Sequence, residues 1–147
     1  MLRAILAVIV SYVVMSVLIF AGFTGAYLLM GVDRAFRPES YDISHRFLAL
    51  GFVIDFVVAV IAGLLCAAIA KGGKAPLVLA AVTLVLGILL SIPSIMAARN
   101  TGPTIRRGSV SNIEAMERVR EPIWAPILIQ FVGAAGVLVG AKLRRRG

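Results

Sequence analysis

The sequence predicts an all-α polytopic membrane protein, a four-transmembrane-helix bundle with a short interfacial helix before the last span, forming one domain over residues 1–147. Three observations predict it. Of the residues 61% are apolar and 15% charged, against about 45–50% and about 25% in a soluble domain. The 15 basic and 7 acidic residues avoid four long stretches, 4–32, 47–70, 75–98 and 122–141, and only Asp55 falls inside one. Each stretch reaches the roughly 17–25 residues needed to cross about 30 Å of hydrocarbon. The runs are continuous and do not alternate at period two, which excludes β-barrel strands. A disordered chain needs low hydrophobicity, and Cys66, the only cysteine, cannot form a disulfide within the chain.

The first stretch starts after Arg3 and carries the small residues Ala21, Gly22 and Gly25, as secretory signals do, but its uncharged run to Val32 is too long. A signal's apolar core spans about 7–15 residues. The segment is therefore read as a span. The connection 33–46 holds Phe36, Pro38 and Tyr41. Pro38 stops a helix from running through it, and Ser44 is placed to cap the second span. An ordered interfacial loop with aromatic anchors is expected, with a ligand lid as the alternative.

Spans two and three are joined by Lys71-Gly72-Gly73-Lys74, followed by Pro76. So short a turn predicts an antiparallel hairpin whose helices pack against each other. The connection 99–121 opens on Asn100, Thr101, Gly102 and Pro103. Ser111 and Glu114 then have capping-box spacing, Ile113, Met116 and Val119 recur every third residue, and Glu114 can pair with Arg118. This pattern predicts the surface helix. Pro122 is expected to open the last span, where its missing N–H costs nothing.

Arg3, Lys71, Lys74, Lys142, Arg144, Arg145 and Arg146 crowd three short, acid-free segments. The other two connections dilute their basic residues and mix them with Asp33, Glu39, Asp42, Glu114, Glu117 and Glu121. Short basic flanks dominate orientation, so both termini are expected in the cytoplasm. The net charge of +8 is then explained by orientation and by anionic lipid headgroups, and no nucleic acid is expected.

Most catalytic chemistry lacks its residues. His45 is the only histidine, and no CxxC, HExxH, GxSxG or phosphate-loop pattern occurs. No cofactor, no metal and no enzymatic activity are expected. Cys66, among Leu65, Ala67 and Ala68, reads as a small buried hydrophobe. Gly133, Gly136 and Gly140, and Ala59, Gly63 and Ala67, set small residues at spacings that let helix backbones approach closely. They could pack helices within the monomer or join copies in a homo-oligomer around Gly63 and Gly136.

Asp55 stands apart, because a carboxylate near the middle of a span costs about 2.5–3.5 kcal/mol on insertion scales. It should face the protein interior and have a partner there, or be protonated. Counting equal depths from the ends of the spans puts Ser91 and Gln130, with Thr24 and Tyr27 nearby, in the same layer. Pro93 would free a backbone carbonyl at that level. The layer reads either as a satisfied structural network that fixes helix register or as a proton- or solute-binding site.

The segments YLLMGVDRAFRPESYDIS (27–44) and IEAMERVREPIWAPILIQFVGAAGVLVGAKL (113–143) resemble a group of short bacterial four-span membrane proteins without an assigned function. That resemblance implies a bacterial inner membrane and brings no catalytic residues, cofactor or substrate. In size the chain is also similar to the small multidrug resistance transporters, which work as dimers of four-span chains. That family uses a glutamate in its first span, where this chain has no acid, so its mechanism is not carried over. Two roles are expected from the sequence. One is a non-enzymatic structural, accessory or interaction protein that packs against lipid, itself or a larger membrane partner. The other is a proton- or small-solute-coupled transporter or channel subunit, working as a homo-oligomer through Asp55.

Overall fold

In a computed structural model, residues 2–71, 73–100, 105 and 120–146 are described. They form α1 (Leu2–Met30), α2 (Val32–Ala35), α3 (His45–Ala70), α4 (Ala75–Asn100) and α5 (Ala125–Arg146), with no strand among the described residues. The expected surface helix, Ser111 to Val119, lies outside them. Four helices are long and apolar enough to cross a membrane, so the chain is a multi-pass, all-α membrane protein with a four-helix bundle.

The ends of the helices follow local chemistry. Gly31, at φ +73°, takes the left-handed conformation that ends α1 at Met30, two residues before the expected end, and its N–H donates to the Tyr27 carbonyl at 2.8 Å. Ser44 caps α3, its Oγ accepting from the Phe47 N–H at 3.2 Å. Lys71, at φ 54°, closes that helix by donating its N–H to the Ala67 carbonyl. The last span begins three residues later than expected. Pro122 sits in a turn, where its carbonyl accepts from the Ala125 N–H at 2.8 Å, and Pro126 occupies the first turn of α5 instead. α5 then runs through Lys142 and Arg144, whose charges suit the negative end of the helix dipole.

The packing order departs from the expected hairpin. α3 makes its largest interface with α5 and its next with α1, α5 also packs on α4, and α3 and α4 meet only weakly despite the short link between them. The reason is steric. α5 comes closer to α3 than α4 does, because glycines line the shared seam. A Cβ at Gly63 would overlap the Val137 carbonyl and one at Gly140 the Val60 carbonyl, while one at Gly136 would lie 2.9 Å from the Phe56 carbonyl oxygen. Lipid tails are as apolar as leucine, so close backbone packing rather than hydrophobic burial favours this pairing. Leu79, Val137, Cys66 and Ala62 fill the adjoining core, and large apolar side chains such as Leu29, Val17, Leu90 and Phe131 face outward.

The two longer connections meet at one end of the bundle, here called the loop face. Ile43 donates its N–H to the Arg120 carbonyl and Arg120 donates to the Tyr41 carbonyl, each at 3.0 Å. Ser40 bridges to Ile105. Phe36 and Tyr41, expected as lipid anchors, are only 4% and 3% exposed. Phe36 packs with Ala35, Ile43, Ala26 and Phe47, and its ring meets Tyr27 and Tyr41 edge to face. The loop therefore builds a small core of its own on α1 and α3. The opposite end, which carries Lys71, Lys74 and Lys142, is the terminal face.

Candidate functional site

Asp55 is 6% exposed and points into the bundle from α3. Its Oδ2 lies 3.1 Å from the position a Cβ would take on Gly133 of α5, and the Met15 Cε of α1 reaches the same spot at 3.6 Å. The absent side chain at Gly133 is thus what leaves room for the carboxylate. Oδ2 is buried and accepts no hydrogen bond among the described residues. The helices packed on Asp55 offer it no countercharge, because α1 has no charged residue between Arg3 and Asp33 and α5 has none between Glu121 and Lys142.

The other expected layer residues are placed separately. Ser91, 8% exposed, donates its Oγ to the Gly87 carbonyl at 2.7 Å within α4 and lies 3.4 Å from the Pro126 carbonyl of α5. The side chain of Gln130 fills the space that a Cβ on Gly87 would take. Both groups belong to the α4–α5 interface, whereas Asp55 belongs to α1, α3 and α5. On α1, Gly22 packs on Ile54 of α3, and Thr24 sits about 3 Å further toward the loop face at about 1.5 Å per residue. Its Oγ1 is buried without a hydrogen bond among the described residues. Tyr27 lies higher still, in the loop-face core against Phe36. Thr83 of α4 is a further buried hydroxyl without a hydrogen bond among the described residues, and sequence reasoning did not single it out.

The flat layer becomes a staircase because of helix register. Asp55 lies ten residues beyond the start of α3 at His45, whereas Gln130 lies only five beyond the start of α5 at Ala125. Gly133, one turn deeper than Gln130, is the residue level with Asp55. Equal-depth counting assumed that the last span opens at Pro122. Pro126, Gln130 and Gly133 follow one another at i, i+4 and i+7, within roughly 60° of arc on α5 at about 3.6 residues per turn. That spacing was readable from the sequence, but Gly87 and Met15 had no signal that would have placed them beside it.

Gly63, Gly133, Gly136 and Gly140 are all buried within the chain. Gly63, Gly136 and Gly140 form the α3–α5 seam and Gly133 holds Asp55. These glycines are therefore not free to form the contact between copies that was expected around Gly63 and Gly136. Ser11 of α1, fully buried, lies against the thiol of Cys66. At the loop face Arg37 donates to His45 Nε2 at 3.0 Å, and burial pushes the Glu121 carboxyl above its ordinary value. Among the described residues no three His, Cys, Asp or Glu side chains gather as metal ligands would.

The fold and the intramembrane carboxylate together define a polytopic four-helix membrane protein with a polar group inside its bundle. Comparison with known protein families, characterised proteins and solved structures returns no match.

Proposed function

We propose that this chain is a small non-enzymatic protein of the bacterial inner membrane, with both termini cytoplasmic, that acts as a compact helical unit against lipid, itself or a larger membrane partner. The observation that carries this reading is the α3–α5 seam, where Gly63, Gly136 and Gly140 bring two backbones together and leave no room for water between them. Its outer apolar faces and basic flanks fit a bilayer with anionic headgroups. Cross-linking in native membranes, followed by identification of the captured chain, tests the role. Stoichiometric haem or metal in the intact purified protein would overturn it. Cysteines introduced at Glu39 and Lys142 should label from opposite sides of sealed cells, Lys142→Cys from the cytoplasm.

A second reading is favoured by one observation, the buried Oδ2 of Asp55 without a hydrogen bond. Intramembrane acids are expensive and mark proton or solute sites in many membrane proteins. In this reading the chain is a proton- or small-solute-coupled subunit, and Asp55 is the group that titrates. Asp55→Asn keeps the volume and removes the titration. Proteoliposomes of the wild type should show pH-dependent flux that Asp55→Asn abolishes, and absence of wild-type flux of protons and small cations would end this reading.

A further inference from the structure

Successive turns of α5 carry polar groups from the loop face down to Asp55. Nearest the loop face, the Pro126 carbonyl stands 3.4 Å from the Ser91 hydroxyl. One turn deeper, Gln130 projects toward Gly87, where the lack of a side chain on α4 makes room for an amide. A further turn reaches Gly133, whose missing Cβ gives room to the Asp55 carboxylate. From Pro126 to Gly133 the rise is about 10 Å at about 1.5 Å per residue. Polar side chains and carbonyls at such spacing are where water is tolerated at membrane depth.

Toward the terminal face the α3–α5 interface changes at once, and a polar group left on that side is the buried Ser11 hydroxyl of α1, which lies against Cys66. Gly136 packs on Ala59 and on the Phe56 carbonyl, Gly63 on the Val137 carbonyl and Gly140 on the Val60 carbonyl. Ala62, Cys66, Leu79 and Val137 are fully buried beside them. A small-residue seam of this kind excludes water. Within the helices around Asp55 the titratable groups are Tyr12 and Tyr27 of α1 and Cys66, three turns away on α3, while the cationic residues Arg3, His45, Arg46, Lys142 and Arg144 stand at the helix ends.

We propose that Asp55 exchanges protons with the loop face alone, along the stripe formed by Ser91, the Pro126 carbonyl and Gln130, and that the glycine seam of α3 and α5 closes the way to the terminal face. The ligand is a proton delivered by water. It binds the carboxylate and returns to water on the same side, so the stripe is a half-channel. This inference rests on reading Asp55 as a titrating group, and it adds the direction from which the proton comes.

A hydrophobic carbodiimide reacts with protonated carboxyl groups inside membranes, so its adduct on Asp55, read by mass spectrometry, reports protonation. The intact protein is reconstituted in sealed vesicles, with orientation set by labelling of a cysteine introduced at Glu39 on the loop face. Acidifying the loop-face compartment should raise the labelling rate of Asp55 several-fold, and acidifying the other compartment should leave it unchanged. Ser91→Ala and Gln130→Leu should each slow the response to a loop-face acid jump several-fold without changing the final extent. Asp55→Asn should abolish the adduct. Gln130→Asn keeps the amide and should respond as the wild type does, which separates a lost stripe from a damaged fold. An equal response from both faces, or a response that Ser91→Ala and Gln130→Leu leave unchanged, overturns the inference. One-sided labelling without proton flux sinks only the transport reading, whereas flux that needs Asp55 together with two-sided labelling sinks only the half-channel.

Discussion

α5 has two large interfaces, with α3 and with α4, and packs in them by different chemistry. Against α3 it presents Gly136 and Gly140, and backbone meets backbone with Val60 and Phe56 carbonyls in the space where side chains would stand. Against α4 it presents Gln130 and the Pro126 carbonyl, which meet Gly87 and the Ser91 hydroxyl. In the first interface the obstacle to any added atom is main chain, which cannot move without moving a helix. In the second it is the end of a flexible side chain. One helix thus combines a stiff seam with an adaptable polar edge, and the same substitution should have different consequences on the two sides.

The largest effect is expected at the seam. Gly63→Ala and Gly140→Ala each place a Cβ on a carbonyl of the facing helix and should destabilise the bundle by roughly 3 kcal/mol, the upper part of the range for overpacking. Unfolding equilibria in lipid bicelles would measure this, and a loss no greater than that of Gly87→Ala would break the contrast. At Gly87 the added Cβ meets only the Gln130 side chain, so Gly87→Ala should cost about 1 kcal/mol. Combining it with Gln130→Ala should recover most of that loss, a coupling that a double-mutant cycle reads directly. Ser91→Ala removes the hydroxyl that reaches the Pro126 carbonyl of α5 and should cost about 0.6 kcal/mol, the average for hydrogen bonds between membrane helices. Gly25→Ala is the control in α1, where a Cβ meets nothing within 4 Å. It should be neutral or stabilise slightly, since alanine favours helix by up to about 1 kcal/mol over glycine.

The smallest expected effect lies at the loop face and depends on pH. Burial raises the Glu121 pKa above its unfolded value, so the folded chain holds that proton to higher pH than the unfolded chain does. Stability attached to this group is present below the unfolded pKa and is lost as pH rises through the folded one. Glu121→Gln should therefore stabilise the loop-face end slightly at neutral pH and do nothing in acid. Hydrogen exchange at Arg120 and Ile43, whose amides bond across the two connections, would show it. A gain that grows as the pH falls would contradict the sign.

Asp55 shows how far the sequence could be read. Its isolation among apolar residues already marked it, and the structure places it in the bundle interior. Gly133 was legible as a packing residue, but its part in making room for that carboxylate was not. Ser91 and Gln130 were recognised as polar groups at membrane depth, yet they meet on the α4–α5 edge and not around Asp55.

The number of spans, their approximate limits, the cap at Ser44 and the interior position of Asp55 follow from the sequence alone. Each depends on how one segment balances the cost of charge and unpaired backbone against hydrocarbon, which is a local matter. The neighbours of each helix, the staggering of the polar groups and the burial of Phe36 and Tyr41 under the loop were settled only in the folded bundle. In lipid the outer and inner faces of a helix are equally apolar, so hydropathy carries no information about which face meets which. That choice is made by shape, by whether a carbonyl fits where a glycine has no side chain, and such a fit exists only once two helices are set side by side.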